Sequence, residues 1–344
     1  VGAADRFAFL LGSCRYPGTP FEAELSDAVF QGMRSRLEQV DFDLAFFIGD
    51  QIYADAYNDV FDASVWRDRY FGSYRKAFNS EHMKQLLGSL PVHFAMDDHE
   101  IVDNWSGGFA DEGTSPLRSG SGPELLTYGK INRDQVEFAH KAARLNMSSA
   151  REKREVGVAP KPAAHSMWYG LDHVGEVNFP CFVLDSRGER ELRAIARHEA
   201  GEALPRMLRE GTNDDGEAEQ LQAFLQWLSA VAGNPATADR PKFVFAGQVL
   251  APIERQLVDC PALFRRDDGF LGYPGTLHAI IERIVQDGVR NVVFVGGDHH
   301  MSSVAELTLR LGAQQVTAWQ IVGSGLYSPM PFANARPDGF RWDA

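Results

Sequence analysis

The stretch 291–303, NVVFVGGDHHMSS, carries an apolar, β-favouring run straight into two glycines, an aspartate and two histidines. A strand that stops on potential metal ligands raises the question of whether other apolar runs of the chain stop in the same way. They do. The run 6–12 leads into LLGSCRYPG, which places Cys14 just past its end, and the run 43–48 leads into FFIGDQIYAD, with Asp50, Tyr53 and Asp55. The run 92–96 leads into FAMDDHEIVDNW, with Asp97, Asp98, His99, Glu100, Asp103 and Asn104. The run 242–250 carries FAGQVLAP, with Gln248, and the opening stretch supplies Asp298, His299 and His300. In open α/β sheets, binding sites collect beyond the carboxyl ends of strands. Separate strands that deliver acids, histidines and a thiol to one edge form the pattern of a multi-ligand metal site.

The rest of the chain supports that reading. Further β-favouring runs fall at 177–184 and near 303–311 and 315–323, while helical spacing appears at 21–40, 63–88, 123–147, 217–232 and 275–288. The last of these sets Leu277, Ile280, Ile281 and Ile284 on one face. Alternating strands and helices, followed by consecutive strands, predict an α/β protein built on two packed sheets flanked by helices, not a single Rossmann sheet. Residues 106–122 and 151–164 are polar and rich in glycine or proline, and read as surface loops.

Composition narrows the function. The chain has 344 residues, 44% of them hydrophobic, which suits a globular protein with a sizeable core. A formal net charge of −13 argues against general binding of nucleic acid or anionic membrane, since phosphate backbones are held mainly by Lys and Arg. No apolar run reaches the eighteen or so residues of a membrane span, and no signal peptide is visible. The chain begins at Val1, which reads as a processed or trimmed end, so the missing leader leaves the compartment open. Three cysteines, Cys14, Cys181 and Cys260, permit one bridge and are too few for a disulfide framework.

A lone Asp after a strand is usually a turn residue or helix cap, and a lone His usually a hydrogen-bonded packing residue. The clusters DDH and GDHH resist that explanation, because ionisable groups packed beside an apolar strand cost several kcal/mol unless paired or bound to metal. Carboxylates and imidazoles suit divalent or trivalent transition metals, while phenolate and thiolate favour a strongly Lewis-acidic ion such as ferric iron. Tyr53 and Cys14 make sense as ligands only beside a metal, which removes their protons.

The set GSC, GDQIY, DDHEIVDN and GGDHH, in that order from residue 13 to residue 300, resembles the PhoD-like (alkaline phosphatase D) branch of the calcineurin-type metallophosphatases. The resemblance implies a four-layer αββα metallophosphoesterase fold over residues 1–344, as one catalytic domain with loop insertions near 106–122 and 151–164. It implies two metal ions: Asp50 as the bridging ligand, Cys14, Tyr53 and His300 on the first ion, and Asp98 and Asp298 on the second. Iron is expected at the Cys14/Tyr53 position, and calcium, manganese or zinc at the other. Gln248 occupies the strand end where a further ligand would fall. His99 matches the histidine that contacts phosphate and assists the leaving group, with Asp97 and Glu100 behind it. Arg187 and Asn104 are candidate phosphate contacts, Arg187 with a salt bridge to Asp185 as the equal alternative. His299 is expected to be structural or to face the substrate. The implied reaction is hydrolysis of phosphomonoesters, phosphodiesters or both by a metal-bound hydroxide. The segment 323–332 is placed at the pocket rim, and export to the periplasm or outside the cell is expected from the resemblance.

Other classes have less support. CFVLDSR (181–187) and CPALFRR (260–266) fit C-x5-R but lack the glycines of a phosphate cradle. No G-x-x-x-x-G-K-[ST] or G-x-S-x-G occurs. Two alternatives stay open: a degenerate, non-catalytic relative used for binding, and a mononuclear iron oxygenase, which needs two histidines and a carboxylate on one ion.

Overall fold

The structure is a computed structural model that describes residues 6–16, 23–55, 68–102, 105, 133–147, 167–171, 179–190, 204, 206–213, 216–251, 269–323 and 325–328. Its first sheet contains β1 (Phe9–Gly12), β2 (Leu44–Ile48) and β3 (Val92–Ala95), all parallel, in that order. The second contains β4 (Tyr169–Leu171), β5 (Cys181–Val183), β6 (Lys242–Phe245), β7 (Val292–Gly296), β8 (Ser302–Leu311) and β9 (Gln314–Gly323), in the order β4-β5-β6-β7-β9-β8. Its central strands β5, β6, β7 and β9 run parallel; β4 and β8 are antiparallel edges.

The helices are α1 (Ala23–Leu37), α2 (Ser73–Phe78), α3 (Glu81–Leu87), α4 (Arg133–Met147), α5 (Gln220–Gly233) and α6 (Pro274–Gln286), with a π turn, Asp68–Gly72, ahead of α2. Strand period sorts the layers. Along β2, Leu44, Phe46 and Ile48 face the second sheet, while Ala45 and Phe47 pack with Phe30 of α1, Met83 and Leu86 of α3 and Val136 of α4. Phe46 and Phe245 stack across the two sheets with ring centroids 3.6 Å apart. On the far side, Ile280 and Ile284 of α6 join Leu221, Phe224 and Leu228 of α5 against the second sheet. The predicted pair of packed, helix-flanked sheets is the observed architecture.

The local differences have physical causes. Over its described part, 68–88, the helical spacing of 63–88 resolves into the π turn, α2 and α3, because Ser80 adopts an extended backbone (ψ 147°) and Asn79 turns its side-chain amide onto the Arg75 carbonyl. Of the run 177–184, residues 177 and 178 lie outside the described residues; β5 forms the strand, and the Pro180 carbonyl and Leu184 amide extend its pairing to β6 on either side. Residues Tyr169–Leu171 form a strand too short to register as a period. Cys14 and Cys181 are buried and form no disulfide among the described residues; Cys260 and the segments 106–122 and 151–164 lie outside them.

The amino end of α3 is capped from another helix. Asp27 of α1 accepts the His82 and Met83 amides at 2.8 and 3.2 Å and the Ser80 hydroxyl at 2.6 Å. Burial pushes the Asp27 carboxyl up, but the Ser80 hydroxyl, these amides and Arg15 outweigh it and hold it below the ordinary carboxylate range. A depressed carboxylate contributes stability that is present at neutral pH and lost as pH falls through its folded value. Asp27→Ala is therefore expected to cost about 1–2 kcal/mol in urea unfolding at pH 7. The gap from wild type should close as pH drops below about 4; a gap that persists in acid would show that the carboxylate charge is not what the cap uses.

Candidate metal centre

The parallel strands of both sheets direct their carboxyl ends to one edge. There β1 leads to Cys14, β2 to Asp50 and Tyr53, β3 to Asp97, Asp98 and His99, and β7 to Asp298 and His300. Backbone hydrogen bonds carry the pairing past the strands: Arg15 N–H to the Asp50 carbonyl (2.9 Å), Gly49 N–H to Ala95 (3.0 Å) and Gly297 N–H to Gly247 (2.9 Å). Asp97 is wedged between loops of the two sheets. A Cβ on Gly49 (φ +94°) would collide with it, and one on Gly247 would lie 2.6 Å from its carboxyl carbon.

Five described non-glycine residues have positive φ: Cys14, Asp50, Asn291, Asp298 and His300, between +49° and +63°. All but Asn291 are predicted ligands. Left-handed backbone is uncommon outside glycine and costs about 1–3 kcal/mol per residue, so it persists where the surroundings enforce it. Here it falls at the residues that follow β1, β2 and β7 and that gather at one point.

Ligand atoms within 4.8 Å of one another fall into overlapping groups: Cys14, Asp50 and His300; Asp50, Asp98 and His99; and Asp50, Asp97, Asp98 and Asp298. Asp50 belongs to all of them. Tyr53 joins the first through its hydroxyl, 3.2 Å from His300 Nε2, and Ser328 holds the other nitrogen of that ring at 2.6 Å. The arrangement is two adjacent positions sharing one carboxylate.

Asp50 is 1% exposed, and neither of its carboxylate oxygens has a hydrogen-bond partner among the described residues. Burial, then Cys14 and Asp98, push its carboxyl well above the ordinary range, against His99. Tyr53 is pushed up as well, by burial and then by Asp50 and Cys14. An ionised carboxylate so placed costs several kcal/mol without a partner. Cations beside it supply that partner and reverse the pKa trend. The residues fit a pair of metal ions.

Glu100 builds the frame. It is fully buried, and its carboxylate accepts the amides of Asp50 (3.0 Å), Gln51 (2.5 Å), Ile52 (3.3 Å) and Asp97 (2.8 Å). Burial pushes its carboxyl up to about 8, against those amides. The loops after β2 and β3 thus share one anchor. Arg187 is likewise fully buried; its Nε donates to Asp97, one terminal nitrogen donates to the Trp105 carbonyl (3.1 Å), and the other lies 3.6 Å from Asp98 Oδ1. The alternative salt bridge to Asp185 does not form, because the Asp185 carboxylate accepts the amides of Met167, Arg187 and Gly188 instead. Gln248 turns its amide nitrogen onto both Asp97 oxygens at 3.0 Å. Asn104 lies outside the described residues.

His99 stacks on the Tyr53 ring, with centroids 4.0 Å apart, and its Nδ1 lies 2.9 Å from both Asp55 oxygens. A carboxylate can only accept, so Nδ1 carries the proton; the ring also lies with the Asp50 and Asp98 carboxylates. Burial lowers the basicity of His99, but Asp55, then Asp98 and Asp50, raise it well above the ordinary value. Asp55 and Ser328 are the partners that sequence reasoning leaves without a role; Asp55 at least sits in the same strand-end stretch. The His299 amide donates to the Gly297 carbonyl (2.8 Å), tightening the turn that presents Asp298 and His300.

Comparison with known proteins places this geometry. A family described as PhoD-like phosphatase matches residues 11–338. A solved structure of PhoD superposes with a TM-score of 0.58 at 17% identity, covering 93% of this chain; the chain spans 56% of that protein's length. A dimetal phosphatase from Danio rerio matches with a TM-score of 0.46 at 14% identity, over 94% of this chain and 89% of the other. No curated protein matches by sequence.

Because Asp50 is common to all three groups, elemental analysis of metal-replete protein is expected to find two ions per chain in wild type and a loss of both in Asp50→Asn. Cys14→Ser should lose only the ion on its own side. Retention of one full equivalent by Asp50→Asn would mean that the two positions do not share it.

Proposed function

The chain belongs to the PhoD-like phosphatase family, and from that premise we propose that it hydrolyses small phosphomonoesters and phosphodiesters at the site centred on Asp50. The observation that carries the reading is the buried Asp50 carboxylate, without a hydrogen-bond partner for either oxygen among the described residues, between two groups of ligand residues. Cys14, Asp50, Tyr53 and His300 would hold one ion, and Asp50, Asp98 and Asp298 the other. Thiolate and phenolate suit ferric iron, and the carboxylate side suits calcium, manganese or zinc. Bound there, such ions would offset phosphoryl charge and would lower the pKa of a coordinated water toward neutral.

The chain's own residues do the rest. His99, held by Asp55 and backed by the Tyr53 ring, keeps a proton at its second ring nitrogen to give to the leaving alkoxide. Arg187 and Gln248 hold Asp97, and Arg187 also offsets the charge of Asp98, so both serve as positioning residues for the carboxylate side. Ser328 orients His300 through its other ring nitrogen, as partners of ligating histidines commonly do.

Phosphate release from aryl monoesters and diesters by metal-replete protein tests the proposal. Chelation should abolish it and metal should restore it. His99→Asn is expected to lower kcat about 100- to 10,000-fold with KM little changed, and Asp55→Asn about 10- to 100-fold. Protein that carries two ions yet hydrolyses neither ester class would sink the reading and favour a non-catalytic binding role.

A further inference from the structure

The second sheet ends in a long, regular strand whose outer edge has no partner strand among the described residues. β8 is last in the strand order, and its ten residues pair one-to-one with β9 from Ser302↔Gly323 to Leu311↔Gln314, without a bulge. It contains neither proline nor lysine. Natural sheets blunt their edges with such residues, with bulges or with very short strands, because an open ladder pairs with any strand that meets it. The opposite edge of the same sheet is blunted by shortness, since β4 has three residues. β8 has none of these defences. Its outward face is also open to solvent: Val304, Glu306, Thr308 and Arg310 are exposed, Val304 at 68%, and Trp319 of β9, directly opposite Glu306, is 42% exposed.

The sequence of β8 selects a second copy of itself as the occupant. A twofold axis perpendicular to the sheet keeps each face of the strand with the same face of its copy, so odd-numbered residues meet odd and even meet even. The position of the axis then sets the register. On Glu306 or on Arg310 it would put like charges opposite each other. On Leu307 it would set Glu306 opposite Thr308 and Arg310 opposite Val304, which leaves both charges unmatched. Of the centres along the strand, only Thr308 sets Glu306 opposite Arg310 of the second copy, and by symmetry it does so twice. Opposite charges facing each other across strands stabilise the pair, and like charges destabilise it. The same register places Leu307 opposite Leu309 on the other face, and Leu311, 38% exposed, opposite Ala305. Val304 then faces the turn at Gly312, where a Cβ would meet nothing within 4 Å.

We propose that two copies of this chain associate edge to edge through β8, antiparallel about Thr308, into one continuous sheet with two Glu306–Arg310 contacts across the junction. The proposal stands apart from the phosphoester reading, as it uses no residue of the metal centre.

Sedimentation velocity of the metal-replete protein over a dilution series tests it. Wild type should pass from monomer to dimer as concentration rises, and backbone hydrogen exchange in 302–311 should slow over the same range. Glu306→Arg and Arg310→Glu each put like charges at both contacts, and each should raise the dissociation constant about tenfold or more. The double reversal restores opposite charges and should return the constant to within about threefold of wild type. A single reversal that merely disrupted the strand would not be rescued by the second. Wild type that stays monomeric up to about 100 μM would overturn the proposal and leave the edge to a strand from another protein. Single reversals that dimerise as tightly as wild type, or a double reversal as weak as the singles, would overturn it too.

Discussion

One carboxylate sets the terms for the rest of the molecule. Asp50 is buried between Cys14, Tyr53 and His300 on one side and Asp98 and Asp298 on the other, with no hydrogen bond to either of its oxygens among the described residues. Ordinary proteins avoid such a placement, because a buried charge without a partner shifts its pKa or destabilises the fold. Here the fold enforces it. The left-handed backbone at Cys14, Asp50, Asp298 and His300 adds local strain, and it is distributed over the same residues that crowd the charge. Strain and repulsion of this kind make sense together only around cations.

The scaffold answers that demand with rigid elements. Parallel strands converge on one edge, and the stacked Phe46 and Phe245 rings lock the sheets that carry them. Glu100 spends its whole carboxylate on the amides of both acid-bearing loops, so Asp50 and Asp97 cannot drift independently. Arg187, with no exposure to solvent, offsets the anionic excess from behind Asp97 and Asp98. A buried cation in that position lowers the cost of assembling the carboxylate side, which has more acids than the thiol side.

Much of this is legible in the sequence because an apolar run marks a strand and the polar residues after it mark the strand's end. Cys14, Asp50, Asp98, Asp298 and His300 can be collected at one edge without any coordinates, since parallel strands put their ends together. Partners chosen by tertiary packing are not legible. Nothing in the spacing joins Ser328 to His300, or Asp27 to the amides of α3, 55 residues away. Arg187 reads equally well as a phosphate contact or as a partner of Asp185; the turn after β5 draws Asp185 onto its own amides, which sends the guanidinium to Asp97. The break between α2 and α3 is hidden for a similar reason, as the periodicity of 63–88 continues through it while the cap that stabilises the second helix comes from α1.

The two halves of the centre are unlike, and that asymmetry is informative about the chemistry. The Cys14 side offers sulfur, phenol and imidazole, and its thiol and phenol give up their protons only beside a strongly Lewis-acidic ion. The Asp98 side offers carboxylates, which hold harder ions and leave them exchangeable. His99 bridges the difference. Its Nδ1 is committed to Asp55 and its face to the Tyr53 ring, and the ring lies with the Asp50 and Asp98 carboxylates. The acids that crowd Asp50 call for cations at the strand ends, while Asp55, which belongs to none of the groups that share Asp50, raises the basicity of the imidazole from behind against the burial that lowers it.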